Sequence, residues 1–305
     1  MTTAPATRHL RRTPRLAPLL LRGALTGLGK RPGPEAPLPQ RRLTVPGVRP
    51  EPAKVAAYAR VCGFSAGGPG DAEGPPVLPL TYPHILGFPL AARLMGDRAF
   101  PLPMLGLVHT GIEIDQREAL PVGGAFELTV YAEELRAHRR GTEVVMVTEA
   151  RRGERLLWTD RSTYLARHRT PAPGEHPAPA FEREAPAPGG ELPERARWRL
   201  PANLGRAHAR VSGDYNPIHL HPLTARPLGF PRAIAHGMWT VARCAAAAVP
   251  ADSGAVRLSA AFRAPVLLPG TVVYAADGGR FTVTGPPRDA AEPPRVHLTG
   301  SVRLP

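Results

Sequence analysis

The sequence predicts an α+β protein made of two consecutive units, in each of which a meander of antiparallel strands is wrapped around one apolar helix. Three observations support this prediction. The order strand, helix, meander occurs in residues 43–168 and again in residues 195–305. A segment rich in Pro, Ala and Glu separates the two units. A chain of 305 residues, 43% of them hydrophobic, is long enough for two domains with a core each.

The first unit begins with a predicted strand at Leu43–Val48, followed by a helix at Glu51–Cys62. The apolar residues of this helix recur on one face, and Pro52 suits its first turn. After a glycine-rich loop, residues 81–88 are predicted to form a turn that leads into an apolar helix near Pro89–Met95.

The spacing of the apolar residues then changes to a period of two, which indicates strands with one buried face. Phe126, Leu128 and Val130, for example, alternate with polar residues. The strands of the first unit are predicted at residues 105–114, 124–135, 142–152 and 156–167.

The second unit repeats this plan. A short strand at Arg197–Leu200 and a short helix at Asn203–Val211 precede a polar stretch, and Ala235–Val249 is predicted to be an apolar helix buried under a sheet. The strands that follow are predicted at residues 255–268, 271–279, 279–285 and 295–304. We interpret the two units as an internal duplication of the fold, although few residues are identical between them.

Two further segments lie outside these units. Residues 169–194 cannot form a core and are predicted to be a semi-extended linker that marks the domain boundary. Residues 1–42 contain nine Arg or Lys residues and one acid, so they carry +8 of the net charge of +14. They are predicted to form a disordered or loosely packed basic arm. A transit peptide and a segment lying on an anionic membrane surface remain as alternatives.

Composition and motifs argue against several classes of protein. The moderately basic body fits an anionic small molecule, such as a phosphate-bearing thioester, as well as it fits nucleic acid. No stretch approaches the roughly 20 apolar residues of a membrane helix. Cys62 and Cys244 form no CxxC pair, which argues against a disulfide framework or a zinc site and suits the reducing cytoplasm. No glycine-rich phosphate loop occurs, so no nucleotide cofactor is expected.

The residues that could carry chemistry are concentrated in Val211–Met238, where glycines and prolines break regular structure. Ionisable side chains on an irregular segment are what acid–base catalysis needs. Pro217 discourages a continuous helix, so the loop is expected to aim its polar side chains at one point. The candidate residues are Asp214, Asn216, His219, His221 and His236.

Two pieces of this stretch, SGDYNPIH at Ser212–His219 and ARPLGFPRAIAHGM at Ala225–Met238, resemble the signature of the MaoC-like (R)-specific enoyl-thioester hydratases, also called hydratase 2. The resemblance is sharp over Arg210–Thr240. Over the rest of residues 43–305 it is an agreement with the double hot-dog members of the family. It implies two hot-dog domains, each an antiparallel sheet around a long helix, paired as a pseudo-dimer. His221 departs from the pattern, because many members have Asp there.

The resemblance implies roles for individual residues. Asp214 and His219 would activate the catalytic water and transfer the proton, with Asn216 supporting the loop or the water. The Gly237 N–H, at the positive end of the helix dipole, would form the oxyanion hole. These roles fit the addition of water to a 2-enoyl thioester, which needs a base, an acid and donors to the thioester oxygen. The expected substrate-binding residues are Ile234, Ala235, His236 and Met238.

The function that the resemblance implies is the reversible conversion of a trans-2-enoyl thioester and water into a (3R)-3-hydroxyacyl thioester, in fatty-acid or lipid metabolism. The carrier would be coenzyme A or acyl carrier protein. No cofactor, metal, nucleic acid or stable membrane insertion is implied, and a homodimer of such chains is compatible with it. Two other functions stay open: a non-catalytic acyl-thioester-binding subunit and a hot-dog thioesterase.

Each candidate residue also has a purely structural interpretation. Asp214 follows a glycine and could be a turn or cap residue. His221 could be an exposed residue, and His236 a hydrogen-bonded residue at the start of the helix. The histidines could also suggest a metal site, but no HExxH motif or Cys ligand accompanies them, and no GxSxG surrounds Ser212.

The first unit has no equivalent set of polar residues. Its residues 81–88 (TYPHILGF) take roughly the place of the signature but lack the Asp, Asn and His. His84 is therefore predicted to be structural. The resemblance implies that this half has lost catalysis and shapes the acyl tunnel, with one active site in the cleft between the halves.

Overall fold

The computed structural model describes residues 6–16, 18–19, 23, 26–27, 29–64, 76–170, 192–251, 253–286 and 292–304. The strands are β1 (Ala6–His9), β2 (Arg41–Val48), β3 (Val108–Gln116), β4 (Phe126–His138), β5 (Gly141–Arg152), β6 (Arg155–Arg167), β7 (Glu194–Leu200), β8 (Val256–Phe262), β9 (Gly270–Asp277), β10 (Arg280–Thr284) and β11 (Val296–Arg303). The helices that position the site are α1 (Pro52–Cys62), α2 (Tyr82–Met95), α3 (Leu204–Ser212), α4 (Pro222–Ala225) and α5 (Gly237–Ala248).

These strands join one sheet, in the order β1-β2-β4-β5-β6-β3-β8-β11-β10-β9-β7. Leaving β1 aside, each half has the same order from its outer edge to the centre: its first, third, fourth, fifth and second strand. β3 and β8 pair antiparallel at the centre, with Gly111 opposite Ala261 and Gln116 opposite Val256. The predicted internal duplication is therefore present in the strand topology.

One helix packs on the sheet of each half. α2 packs on β4 and β5, and α5 packs on β8 and β11. α2 comes very close to β5 at Gly87, where a Cβ atom would lie 2.6 Å from Thr148 Cγ2. An antiparallel sheet over one helix in each half agrees with the α+β prediction.

A cluster of buried side chains continues from one half into the other. It includes Tyr58 and Trp158 in the first half, and Trp239 and Phe281 in the second. Trp239 also donates a hydrogen bond from Nε1 to the Val61 carbonyl, at 2.9 Å. The two halves therefore share packing across the centre of the sheet.

Helix α2 begins at Tyr82, earlier than the Pro89 predicted from the sequence, so residues 82–88 are helical rather than a turn. Pro83 lies in the first turn, where a backbone N–H has no partner within the helix. Pro89 lies inside the helix and removes one backbone hydrogen bond. The burial of Tyr82, Ile85 and Leu90 offsets this loss, because tertiary packing supplies most of the stability of a helix.

Parts of the described N-terminal segment are held on the first half rather than disordered, although the four residues of β1 are exposed. β1 pairs in parallel with β2, and Leu16 is buried. The Lys30 ammonium donates hydrogen bonds to the carbonyls of Asp97 and Leu102. The outer strand β2 offered an unpaired edge, and an extra strand that covers such an edge satisfies its backbone groups.

Two predicted segments lie outside the described residues: most of the linker, at 171–191, and most of the glycine-rich loop, at 65–75. Cys62 and Cys244 are both free and buried. Within the described ranges, no helix has the length and apolar character needed to cross a membrane.

Candidate active site

The polar loop is folded by hydrogen bonds between its own backbone and side chains. α3 ends at Gly213, which adopts the left-handed conformation (φ 77°) that favours glycine. Asp214 Oδ1 accepts from the Asn216 N–H at 3.1 Å, and Asn216 Oδ1 accepts from the Ile218 N–H at 3.4 Å. Asn216 thereby caps a single 3-10 turn, Pro217–His219, and this turn brings His219 back toward Asp214.

Helix α3 packs directly on this turn. At Gly205, a Cβ atom would overlap the His219 carbonyl oxygen. No side chain fits there, so glycine is required for the loop to sit on the helix.

Asp214, His219 and His236 come together in space. One carboxylate oxygen and one nitrogen of each ring lie within 4.8 Å of one another. The His219 Nδ1–H donates to the Ile234 carbonyl at 2.9 Å, which leaves a lone pair on Nε2. The His236 Nε2–H donates to the backbone carbonyl of Asp214 at 2.9 Å, and the two imidazole rings are stacked with centroids 3.7 Å apart.

The three groups differ in exposure. The Asp214 side chain is 23% exposed, whereas the His236 side chain is 3% exposed and His219 is also buried. Burial lowers the pKa of His219, and the neighbouring His236 lowers it further, while Asp214 opposes this shift. Burial likewise lowers the pKa of His236. The site therefore pairs an accessible carboxylate with a neutral imidazole, two groups that can bind a water and exchange its proton.

The start of α5 supplies backbone donors beside this pair. His236 is the N-cap, and its carbonyl accepts from the N–H groups of Trp239 and Thr240. The N–H groups of Gly237 and Met238 have no intrahelical acceptor, because they belong to the first turn. A Cβ atom at Gly237 would lie 2.8 Å from the ring of Phe262, so a larger residue would have to displace that ring. These donors and the helix dipole favour a negatively charged oxygen.

The residues predicted to bind substrate surround this helix start. Ile234, Ala235 and Met238 are buried. The Ile234 N–H donates to Ile218, and the Ala235 N–H donates to Val266. These bonds hold the segment before α5 against the polar loop at Ile218 and against Val266, which follows β8.

His221 lies apart from the cluster. It is exposed, and its Nδ1 accepts from the Leu223 N–H at 3.2 Å, which caps α4. The sequence interpretation of His221 as a structural or exposed residue, and of His236 as a hydrogen-bonded residue at the helix start, is confirmed.

The first half places a second polar cluster near the site, which the sequence did not reveal. His84, predicted to be a lone structural residue, is hydrogen-bonded: its Nδ1 lies 2.8 Å from Asp160 Oδ2, with both side chains buried. The His109 ring stacks between Tyr164 (4.5 Å) and Phe262 (4.8 Å), and Phe262 abuts Gly237. One indication of this cluster was present in the sequence. Asp160 lies two residues after Trp158, and therefore on the same face of the strand, where apolar residues are expected.

Charged and ionisable groups of this cluster and of the loop in the second half shift the pKa values of the same residues. Burial raises the pKa of Tyr164, and the charges of Asp160 and, to a smaller extent, Asp214 raise it further. His84 is one of the groups that lower the pKa of His208, after burial, His236 and His219. Residues of both halves thus share one buried polar region.

The two ends of the signature have separate counterparts in the first half. Residues 81–88 belong to the start of α2, which corresponds to the start of α5. The counterpart of the α3–loop junction is Tyr58–Phe64, because α1 packs on α3 and both helices end at a left-handed glycine. Tyr58–Phe64 (YARVCGF) and His208–Asp214 (HARVSGD) share Ala-Arg-Val-x-Gly, and Phe64 takes the place of Asp214. This short repeat was visible in the sequence.

The geometry suits proton transfer better than metal binding. Two ring nitrogens of the cluster already donate to backbone carbonyls. The His219 and His236 rings are inclined by only 25° at 3.7 Å. An ion about 2.1 Å from both free nitrogens would lie far out of each ring plane, where imidazole has no lone pair.

Comparison with known proteins identifies related chains. Residues 187–279 match the MaoC like domain. Over 269 residues, 87% of this chain and 90% of the relative, the sequence is 38% identical to 3-hydroxyacyl-thioester dehydratase X of Mycobacterium tuberculosis. The crystal structure of HtdX from the same organism superimposes with a TM-score of 0.69 at 35% identity, covering 87% of this chain and 100% of that chain.

Two more distant structures share the fold. The MaoC-like dehydratase from Phytophthora capsici has a TM-score of 0.65 at 18% identity, covering 87% of this chain and 95% of that one. A Mycobacterium tuberculosis protein described as having a double hotdog fold has a TM-score of 0.51 at 16% identity, covering 90% and 96%.

Proposed function

The chain belongs to the MaoC-like dehydratase family, and we propose that it interconverts a trans-2-enoyl thioester plus water with the (3R)-3-hydroxyacyl thioester. Its two units form a double hot-dog, as predicted. The observation that supports this function best is the juxtaposition of Asp214, neutral His219 and His236, with His236 directly before the first turn of α5, which begins at Gly237. The reaction places the enzyme among the hydro-lyases of fatty-acid and lipid metabolism.

The proposed mechanism uses Asp214 and His219 for proton transfer and the start of α5 for the thioester oxygen. In hydration, Asp214 and His219 bind a water and take one of its protons while its oxygen forms the new bond to C3. The electrons of the double bond move onto the thioester oxygen, where the Gly237 N–H stabilises the enolate-like charge. The pair then delivers a proton to C2. Asn216 keeps the loop in shape through its cap, and dehydration follows the same steps in reverse.

The carrier is proposed to be coenzyme A or acyl carrier protein, which present the same phosphopantetheine. Support comes from the surface around the loop. Asp214 is the single acid of residues 203–232, whereas the segment has four exposed arginines: Arg206, Arg210, Arg226 and Arg232. Tyr215 and Leu223 are exposed beside them. Guanidinium groups bind phosphates well, so we expect KM for both carriers to rise with ionic strength.

The domains are proposed to run over residues 43–168 and 195–305, with a non-catalytic first half that shapes the acyl tunnel. The first half has Phe64 at the position that Asp214 occupies in the second half, which supports the proposal that the first half is non-catalytic. Association of such chains into a homodimer stays a prediction, and light scattering coupled to size exclusion measures it.

The proposal is tested by mixing the protein with trans-2-enoyl-CoA substrates of several chain lengths. We expect the enoyl absorbance to fall without release of free thiol, and the product to be the 3R alcohol on chiral analysis. Release of thiol without hydration would identify a thioesterase. Binding without turnover on either carrier would identify an acyl-thioester-binding subunit. Either result contradicts the proposal.

A further inference from the structure

Three buried ring nitrogens behind the proposed catalytic pair lack partners. His208, on α3, is 1% exposed, and neither of its nitrogens has a hydrogen-bond partner among the described residues. The same holds for Nδ1 of His236, whose ring centroid lies 4.5 Å from that of His208. Buried polar atoms are nearly always paired, so a group of three in one place calls for an additional hydrogen-bonding group.

The protonation state of His236 determines whether the additional group must donate or accept a hydrogen bond. Because the His236 Nε2–H donates to the Asp214 carbonyl, Nδ1 of a neutral ring carries a lone pair and requires a donor. Burial lowers the pKa of His208, so its ring is neutral as well and offers one N–H and one lone pair. A water molecule can pair two of the three nitrogens, one on each ring, since it can accept from His208 and donate to His236.

We propose that His208 and His236 together hold one buried water molecule, and that His208 is a positioning residue for the Asp214–His219 pair through this water. The second part rests on the proposed function. The water fixes the orientation of the His236 ring. That ring in turn holds the Asp214 backbone by a hydrogen bond and the His219 ring by stacking.

A second connection runs along the backbone of α3. The Ser212 hydroxyl donates to the His208 carbonyl at 2.8 Å and accepts from the Asp214 N–H at 3.2 Å. The position of His208 is therefore coupled to Asp214 both through its ring and through its carbonyl.

The first half provides an internal comparison. Tyr58 occupies the position of His208 in the repeat, and its ring lies 6.0 Å from the His208 ring. The Tyr58 hydroxyl is satisfied by Thr81 Oγ1 at 2.9 Å, so it needs no additional partner. Cys62 likewise stands where Ser212 stands. The unpaired imidazole and the linking hydroxyl thus occur in the half that carries Asp214.

The water is tested on the unmodified protein. A high-resolution crystal structure is expected to show one water about 2.7–3.2 Å from a nitrogen of each ring. Long-range ¹H–¹⁵N correlation spectra are expected to show His236 protonated at Nε2, with Nδ1 accepting a hydrogen bond. An unoccupied position between the rings, or His236 protonated at Nδ1, overturns the proposal regardless of any activity.

The positioning role is tested with His208→Phe, which keeps a ring but removes both nitrogens. We expect kcat to fall about tenfold, since small displacements of reacting groups are costly, while KM changes less than about twofold. The His236 Nδ1 resonance should move toward that of a free nitrogen. Tyr58→Phe, the matched change in the first half, should keep the wild-type kcat. Wild-type kcat in folded His208→Phe would refute the role. Wild-type protein without hydratase activity would instead refute the proposed function.

Discussion

Burial separates the residues of the site into an accessible acid and a group of neutral histidines. The Asp214 side chain can meet solvent and substrate, whereas His208, His219 and His236 are almost completely enclosed. A buried imidazolium loses its hydration, so all three pKa values lie below the ordinary one. The same burial that keeps His219 neutral at neutral pH makes the fold sensitive to acid.

We expect the free energy of unfolding to fall steeply as the pH drops from about 6.5 to 5. In this window, the unfolded chain protonates these histidines near the ordinary histidine pKa of about 6.5, but the folded chain does not. Protons therefore bind the unfolded state preferentially. Each histidine removes up to about 1.4 kcal/mol of stability per pH unit. Denaturant titrations across this range measure the slope.

His208→Phe provides the comparison for this slope. One buried histidine fewer should reduce the slope by up to about 1.4 kcal/mol per pH unit. A free energy of unfolding that stays constant between pH 6.5 and 5 would show that the histidines are protonated in the folded state too.

The sequence predicted the residues of the loop but not the chemistry around them. Asp214, Asn216 and His219 were identified because they are close along the chain and match a family signature. His84, His109 and His208 were missed because their relation to the site depends on contacts between distant segments. A lone histidine in a sequence gives no indication of its neighbours, although the repeat around Ala59 and Ala209 could have directed attention to His208.

Among the elements, α3 constrains the position of the 3-10 turn that carries His219. Gly205→Ala would place a methyl group against the His219 carbonyl, and backbone on both sides leaves little freedom to adjust. We expect this change to lower the free energy of unfolding by about 1–3 kcal/mol, as overpacking does, and to lower kcat as well. Thermal unfolding and the hydration assay measure the two effects.

Gly254→Ala is the matched control, because a Cβ atom at Gly254 meets nothing within 4 Å. It should leave stability and kcat close to those of the wild type. Equal behaviour of the two alanine variants would mean that α3 does not constrain the turn.

Helix α2 and strand β6 are joined by the buried pair of His84 and Asp160. Removing one partner of a buried hydrogen-bonded pair leaves the other polar group unsatisfied and typically costs about 1–3 kcal/mol. We expect Asp160→Ala to lower the free energy of unfolding by this amount. Asp115→Ala, which breaks the exposed pair with Arg257, should cost at most about 1 kcal/mol. Similar losses in both variants would show that His84–Asp160 is not buried as described.

The elements themselves were largely predictable. Strands β4 to β6 followed from the alternation of apolar residues, and α5 from its continuous apolar face. The start of α2 was misplaced because Pro83 and Pro89 are typical of turns, whereas the burial of their neighbours keeps the segment helical. Tertiary packing overrides local preference at such positions.

At the scale of the whole molecule, the pairing of β3 with β8 makes one sheet from two units. A second half expressed alone, residues 195–305, would expose the β8 edge and the surface of Trp239 that meets α1. We therefore expect this fragment to self-associate and to lack hydratase activity, which size exclusion and the enoyl assay measure. A stable, active monomer of the fragment would contradict the shared core.

The duplication was predictable from the order of elements, but the continuity between the halves was not. Pairings such as Gly111 with Ala261 join residues far apart in sequence, and no local pattern specifies them. The pairing of β1 with β2 was not predicted either, because residues 1–42 are rich in basic residues and lack the alternation of apolar residues that indicates a strand.

We propose that Asp214 and His219 carry out the chemistry as a unit. Initial rates of enoyl-thioester hydration test it most directly, in folded Asp214→Asn, His219→Ala and the double variant, with His221→Ala as the control from the same loop. Each single change should lower kcat at least about a hundredfold, the range typical of lost acid–base catalysis. The double variant should lose little more, and His221→Ala should stay within about twofold of the wild type. Near-wild-type kcat in either single variant would contradict the account.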